Sequence, residues 1–65
     1  MNTSQSIIQV KPAKELWMAK HSGPHTDEII SLFGSNILPT AFASDTPRDV
    51  VVAALRKRNP GFEVF

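Results

Sequence analysis

Two histidines and two acids stand close together in the first half of the chain, and they are the side chains most able to do chemistry. His21 and His25 are four residues apart, and Asp27 and Glu28 follow directly. Imidazole nitrogens and carboxylate oxygens are ligands for zinc and other transition metals. The spacing would suit a helix, but the Gly-Pro pair between the histidines predicts a loop, which does not fix ligand geometry. We therefore favour surface histidines without a special role and expect no metal site and no cofactor.

The same four side chains could act as a general acid and a general base. Such catalysis needs a pocket of roughly several hundred cubic ångströms, and a chain of 65 residues has little room for one. The chain has no cysteine nucleophile, no Ser-x-x-Lys or Gly-x-Ser-x-Gly pattern and no phosphate-binding glycine loop. We therefore expect a protein that is not an enzyme and assign no catalytic residue.

Basic side chains form a second candidate site, for nucleic acid. They lie on one predicted helix and on a predicted hairpin: Arg48, Arg56, Lys57, Arg58, Lys11, Lys14 and Lys20. If they shared one face they could contact phosphates, and Trp17 could stack on unpaired bases. Three cations at the end of a helix also interact favourably with the helix dipole and keep the surface soluble. We favour this simpler role.

Apolar side chains on two predicted strands form a third candidate site, for a protein partner. The set is Trp17, Met18, Phe62, Val64 and Phe65. The strand that contains Trp17 is apolar on both faces, so something must cover its second face. Aromatic and methionine side chains are enriched at protein interfaces, and an apolar C-terminal strand would be an open pairing edge. Burial inside the domain explains part of this apolar surface, and a partner or self-association explains the rest.

Composition restricts the class of protein. A single domain of 65 residues buries only about 60% of the surface that its unfolded chain exposes. Without cysteine, no disulfide supplements so small a core, so self-association, for example as a homodimer, is a reasonable expectation. The net charge of +1 lacks the basic excess of a dedicated nucleic-acid binder. No signal peptide or membrane span is predicted, so we expect a cytoplasmic protein without a membrane partner.

The helix predicted over residues 46–59 is the clearest element of the sequence. Thr46 is the predicted N-cap, and Pro60 ends the helix after a basic last turn. The helical period predicts a buried stripe of Val50, Val51, Ala54 and Leu55. It places Val52 on the opposite side. Leu55→Ala is expected to cost about 2–4 kcal/mol of stability.

The remaining elements follow from alternation and turn residues. Residues 7–11 and 15–20 predict a hairpin, and residues 37–42 and 61–65 predict two further strands. Pro39 restricts the third strand to a sheet edge. Residues 26–33 combine a capping threonine, two acids and a following glycine, which favours a short helix over a strand.

The predicted fold is a small α+β domain over residues 7–65, preceded by a flexible N-terminus over residues 1–6. The element order is β-β-α-β-α-β, with both helices packed on one face of a mostly antiparallel sheet. If residues 27–33 were a strand, the fold would instead be a three-stranded meander with one helix and a C-terminal strand.

The sequence therefore favours a small non-enzymatic protein-interaction module. It would be a regulatory or accessory protein that acts through an exposed β edge or an apolar patch, alone or as a homo-oligomer. The alternative is a nucleic-acid-binding regulator that uses the basic end of the helix over residues 46–59. A weaker alternative is a phage or mobile-element accessory protein that inhibits a host machine.

Overall fold

The computed structural model describes residues 5–65, so most of the predicted flexible N-terminus lies outside the described residues. Six elements follow one another: β1 (Ile7–Pro12), β2 (Leu16–Ser22), α1 (Thr26–Phe33), β3 (Ile37–Ala43), α2 (Arg48–Arg58) and β4 (Glu63–Val64). The predicted α+β domain and its element order are confirmed. The meander alternative is wrong, because residues 26–33 form a helix.

The four strands form one mixed sheet in the order β3-β2-β1-β4. β1 and β2 are the predicted antiparallel hairpin, with Val10 opposite Ala19. β3 pairs antiparallel with β2 and lies at the sheet edge, as Pro39 predicted. β4 returns beside β1 in the parallel direction and brings Val64 next to Ile8.

One face of this sheet carries the core, and we call it the core face. Alternate strand residues point to it, namely Ile8, Val10, Trp17, Ala19 and Val64. Val51 and Val52 of α2 pack on these side chains from above, with half-buried Phe42, Leu55 and Phe62 around them. The strand residues of the opposite phase, such as Met18 and Ile37, lie on the second face, which we call the open face.

The buried stripe of α2 differs from the predicted one. Val50 is 47% exposed, whereas Val52 is only 9% exposed. The contact with the sheet runs through Val51, Val52 and Leu55, and it includes Arg48 and Arg56 at the matching helical positions. The predicted stripe included neither arginine. Their long aliphatic stems allow them to lie over the sheet, and this rotates the buried stripe by about one residue.

The two predicted threonine caps are also wrong. α2 begins after Pro47 and α1 begins after His25, and neither helix has a side-chain capping hydrogen bond. Thr46 instead contributes its backbone carbonyl, which accepts a hydrogen bond from the Trp17 indole. The predicted end of α1 is confirmed, since the Gly34 amide donates to the carbonyl of Ile30.

The corrected stripe predicts different losses of stability when Val50 and Val52 of α2 are replaced by alanine. Val52→Ala is expected to lower the free energy of unfolding by about 1–2 kcal/mol, because it leaves a gap under α2. Val50→Ala removes an exposed side chain and should change it by less than about 0.5 kcal/mol. The half-burial of Leu55 also reduces the expected cost of Leu55→Ala to about 1–2 kcal/mol. Urea melts compare the three variants, and equal costs at positions 50 and 52 would contradict this orientation of α2.

Candidate functional site

Trp17 is a structural residue of the core face. Its side chain is only 5% exposed, and its indole nitrogen donates a hydrogen bond of 2.9 Å to the Thr46 carbonyl. The guanidinium carbon of Arg48 lies 5.3 Å from the centre of the ring. The side chain thereby joins β2 to the segment that starts α2. Trp17, predicted as an interaction residue, therefore has almost no surface to offer a partner.

The other four predicted interaction residues do not form one surface either. Val64 is buried in the core, and Phe62 is half-buried against it. Met18 is half-buried on the open face, and Phe65 is exposed at the end of β4. The Phe65 amide donates to the Ile8 carbonyl, which extends the pairing of β4 by one residue. By alternation from Val64, the Phe65 side chain falls on the same face as Met18.

No helix in the described part of the chain covers the open face of the sheet. The molecule measures 38 × 24 × 16 Å, and its shortest dimension fits a sheet with one layer of helix on it. Exposed Leu16, Ile37 and Phe65 and half-buried Ile7 and Met18 supply the apolar part of this face. Among them stand the charged side chains of Lys11, Lys20 and Glu63.

Besides the open face of the sheet, helix α1 carries a second apolar surface. It was not among the candidate sites predicted from the sequence. Four of its eight residues are apolar, namely Ile29, Ile30, Leu32 and Phe33, and none of them is buried. Leu32 is 68% exposed and Phe33 is 62% exposed. Two adjacent apolar pairs in so short a helix were a visible signal, because they make an apolar surface too wide for a single contact with the sheet.

Two of the predicted nucleic-acid contacts serve the fold. One guanidinium nitrogen of Arg56 donates to the Val64 carbonyl at 3.0 Å, and one of Arg48 donates to the Val10 carbonyl at 3.3 Å. Both arginines thus lie over the sheet and fasten α2 to β4 and β1.

The other predicted cations do not share a face. Lys57 and Arg58 are exposed at the end of α2. Lys14 lies in the turn between β1 and β2, at the opposite end of the sheet, and Lys20 belongs to the open face. Lys57 and Arg58 are adjacent in the chain and both are exposed.

The two histidines are brought together by the turn between β2 and α1. His21 Nδ1 and His25 Nε2 are 3.0 Å apart, and the ring centres are 5.2 Å apart. The distance between the ring centres exceeds the distance between the two nitrogens by nearly twice the distance from a ring centre to its nitrogen. Both nitrogens therefore lie close to the line that joins the two ring centres. This is the geometry of a hydrogen bond between the rings, since chelation of a metal needs lone pairs that converge on a third point.

Burial and polarity around this pair have chemical consequences. Desolvation, and second the neighbouring His25, lower the pKa of His21 below its usual value. The His25 ring stands edge-on to Phe62, with ring centres 4.8 Å apart. Within residues 5–65, the buried atoms His25 Nδ1 and Thr26 Oγ1 have no hydrogen-bond partner. Asp27 and Glu28, the other candidate ligands considered above, are exposed on α1.

Within the described residues no helix is both long and apolar enough to cross a membrane. No family model, curated protein or solved structure matches the chain.

Proposed function

We propose that this protein is a small non-enzymatic interaction module, a regulatory or accessory protein of the cytoplasm that binds another protein through apolar side chains. The observation that carries this proposal is α1, a helix of eight residues with four apolar side chains and none buried. The open face of the sheet adds a second apolar surface in the same small domain.

The energetics of α1 support binding through this helix. A helix of two turns is unstable in water on its own and depends on packing for its stability. In the free domain α1 obtains little of that packing, because Leu32 and Phe33 are mostly exposed. A partner that covered these two side chains would gain about 1.5–3 kcal/mol from each of them.

The spacing of the apolar residues indicates how the partner would bind. Ile29, Leu32 and Phe33 occupy positions i, i+3 and i+4 of α1, which is the pattern by which an amphipathic helix fills an apolar groove. The partner would therefore offer a groove lined by apolar side chains.

Pairing at the β3 edge is less well supported than an apolar patch. The His21 amide donates to the Asn36 carbonyl, so Asn36 and Leu38, which is two residues further along the strand, direct their backbone N–H and C=O groups towards β2. Pro39 has the opposite phase and faces away from the sheet. It lacks the N–H that an added strand would need, and prolines at such positions protect edges from pairing.

The nucleic-acid alternative lacks a supporting surface. Arg48 and Arg56 donate to backbone carbonyls of the sheet, and the remaining cations are divided among the end of α2, the turn between β1 and β2, and the open face. We therefore keep the protein partner as the proposal.

Affinity capture from native cell lysate tests the proposal with one double variant and one control. The double variant carries both Leu32→Ser and Phe33→Ser. It should capture at least about tenfold less of the partner than the unmodified protein does, because two apolar anchors are lost. Val50→Ser serves as the control, because it removes an exposed apolar side chain from α2. It should capture the partner as the unmodified protein does.

Stability measurements separate loss of binding from loss of folding. All three positions are exposed, so urea melts of both variants should stay within about 0.5 kcal/mol of the unmodified protein. If the double variant captured the same proteins in the same amounts as the unmodified protein, the result would contradict the proposal that the partner binds through α1.

A further inference from the structure

We propose that His21 and His25 form an acid-sensitive latch, which holds the start of α1 against the sheet and opens when both rings are protonated. The latch is a property of the free domain. Its use as a regulator of partner binding rests on the function proposed above, because it would change the presentation of the apolar residues of α1.

One half of the latch is fixed to the sheet. The His21 amide donates to the Asn36 carbonyl at 2.8 Å, and the Asn36 side-chain amide donates to the His21 carbonyl at 3.0 Å. His21 also pairs with Ile8 of β1. These contacts fix the His21 backbone between β1 and the residue that precedes β3.

The other half of the latch belongs to α1. The His25 carbonyl accepts the first hydrogen bond of the helix, from the Ile29 amide at 3.2 Å. The His25 ring reaches back to His21 and to Phe62, which packs on the core. No residue of α1 is fully buried, and this ring and the hydrogen bond from the Thr26 amide to the Gly23 carbonyl are two contacts that hold its first turn.

Proton counting shows why acid should open the latch. The bond between the rings needs one N–H group and one lone pair, so one neutral ring donates and the other accepts. The bond can survive the first added proton. After the second, two N–H groups face each other at 3.0 Å and carry like charges, so the attraction becomes a repulsion.

The elements around the two rings also carry charged side chains. Asp27 and Glu28 are exposed on the first turn of α1, and Lys20 and Glu63 belong to the open face. Arg56 of α2 is directed to the Val64 carbonyl. Within residues 5–65, none of these groups forms a hydrogen bond with either ring.

The direction of the pH effect follows from proton linkage. The closed state lowers the pKa of His21, whereas in the open state His21 should titrate near its ordinary value of about 6.5. The open state therefore binds more protons in acid. The stability that the latch contributes is fully present above about pH 6.5, and it is lost as the pH falls from there through the lowered pKa.

Amide hydrogen exchange between pH 7.5 and 5 measures this opening in the free protein. Protection factors, which correct for the intrinsic effect of pH on exchange, should fall in α1 as the pH drops below about 6.5, by at most about tenfold per pH unit for each proton that the open state gains. The Ile29 and Gly34 amides report on α1, and the Asn59 amide, which donates to the Leu55 carbonyl, reports on α2. The protection of Asn59 should stay constant.

Two variants assign the effect to the histidines. His25→Phe keeps an aromatic ring beside Phe62 but cannot be protonated, so no repulsion between two charged rings can arise and the loss of α1 protection in acid should become much smaller. Asp27→Asn removes the first carboxylate of α1 and should leave the pH dependence unchanged. Constant protection of α1 in the unmodified protein down to pH 5 would overturn the latch, as would a normal pH dependence in His25→Phe.

The NMR titration of the His21 ring keeps the test decisive if His25→Phe does not fold. In the unmodified protein this ring should titrate below its usual range, together with the loss of protection in α1. Protonation of both rings while α1 stays protected would contradict the latch. None of these measurements involves a partner, so their outcome is independent of the capture experiment.

Discussion

Trp17→Ala is expected to leave the domain largely unfolded at 25 °C. Removing a buried tryptophan costs about 3–5 kcal/mol, and a domain of this size has only about 3–5 kcal/mol of stability in total. The side chain touches the core and donates to the Thr46 carbonyl, so its loss separates β2 from the start of α2. Circular dichroism in the far ultraviolet, followed through a urea titration, measures the result.

Trp17→Phe is the matched control for this prediction. It keeps an aromatic ring in the core but removes the indole N–H and therefore the hydrogen bond to Thr46. A folded variant that is weakened by about 1–2 kcal/mol is expected. A Trp17→Ala variant that melts within 1 kcal/mol of the unmodified protein would show that Trp17 does not hold the two elements together.

Gly23→Ala is expected to destabilise the domain by about 2–4 kcal/mol, because two costs combine. Gly23 has a φ of +110°, which side-chain-bearing residues rarely adopt. A Cβ atom at this position would lie 2.5 Å from the Gln5 carbonyl oxygen and 2.9 Å from the Ser6 Cα. These are backbone atoms, so the turn between β2 and α1 would have to move away from the residues before β1.

Gly61→Ala separates the two costs. Gly61 also has a positive φ, +90°, but a Cβ atom there would meet no atom within 4 Å. This variant should lose only about 1–2 kcal/mol, the backbone cost alone. Thermal or urea melts compare the two alanines, and equal losses would contradict the close approach of the chain at Gly23.

Much of the fold could be predicted from local signals. Alternation marked β1 and β2, Pro39 marked an edge strand, and the glycine after residue 33 marked the end of α1. The orientation of α2 could not be predicted in this way. It depends on whether Arg48 and Arg56 lie over the sheet, and only the position of carbonyls from β1 and β4 decides that.

The candidate site was harder to predict than the fold. A strand that is apolar on both faces, such as the one with Trp17 and Met18, has one face covered by the core of the domain. Its sequence does not indicate which of the two faces that is. The position of α2 buries Trp17 and leaves Met18 on the open face. The contact between the two histidine rings could not be predicted either, because it depends on a turn with Gly23 at a positive φ that brings His25 back to His21.

Affinity capture from native lysate, divided into nuclease-treated and untreated halves at physiological salt, tests the proposed function most directly. We expect a protein that is captured equally from both halves by the unmodified domain, because apolar contacts of α1 do not depend on nucleic acid. If the captured proteins disappeared after nuclease treatment, the functional surface would be the exposed cations and not α1.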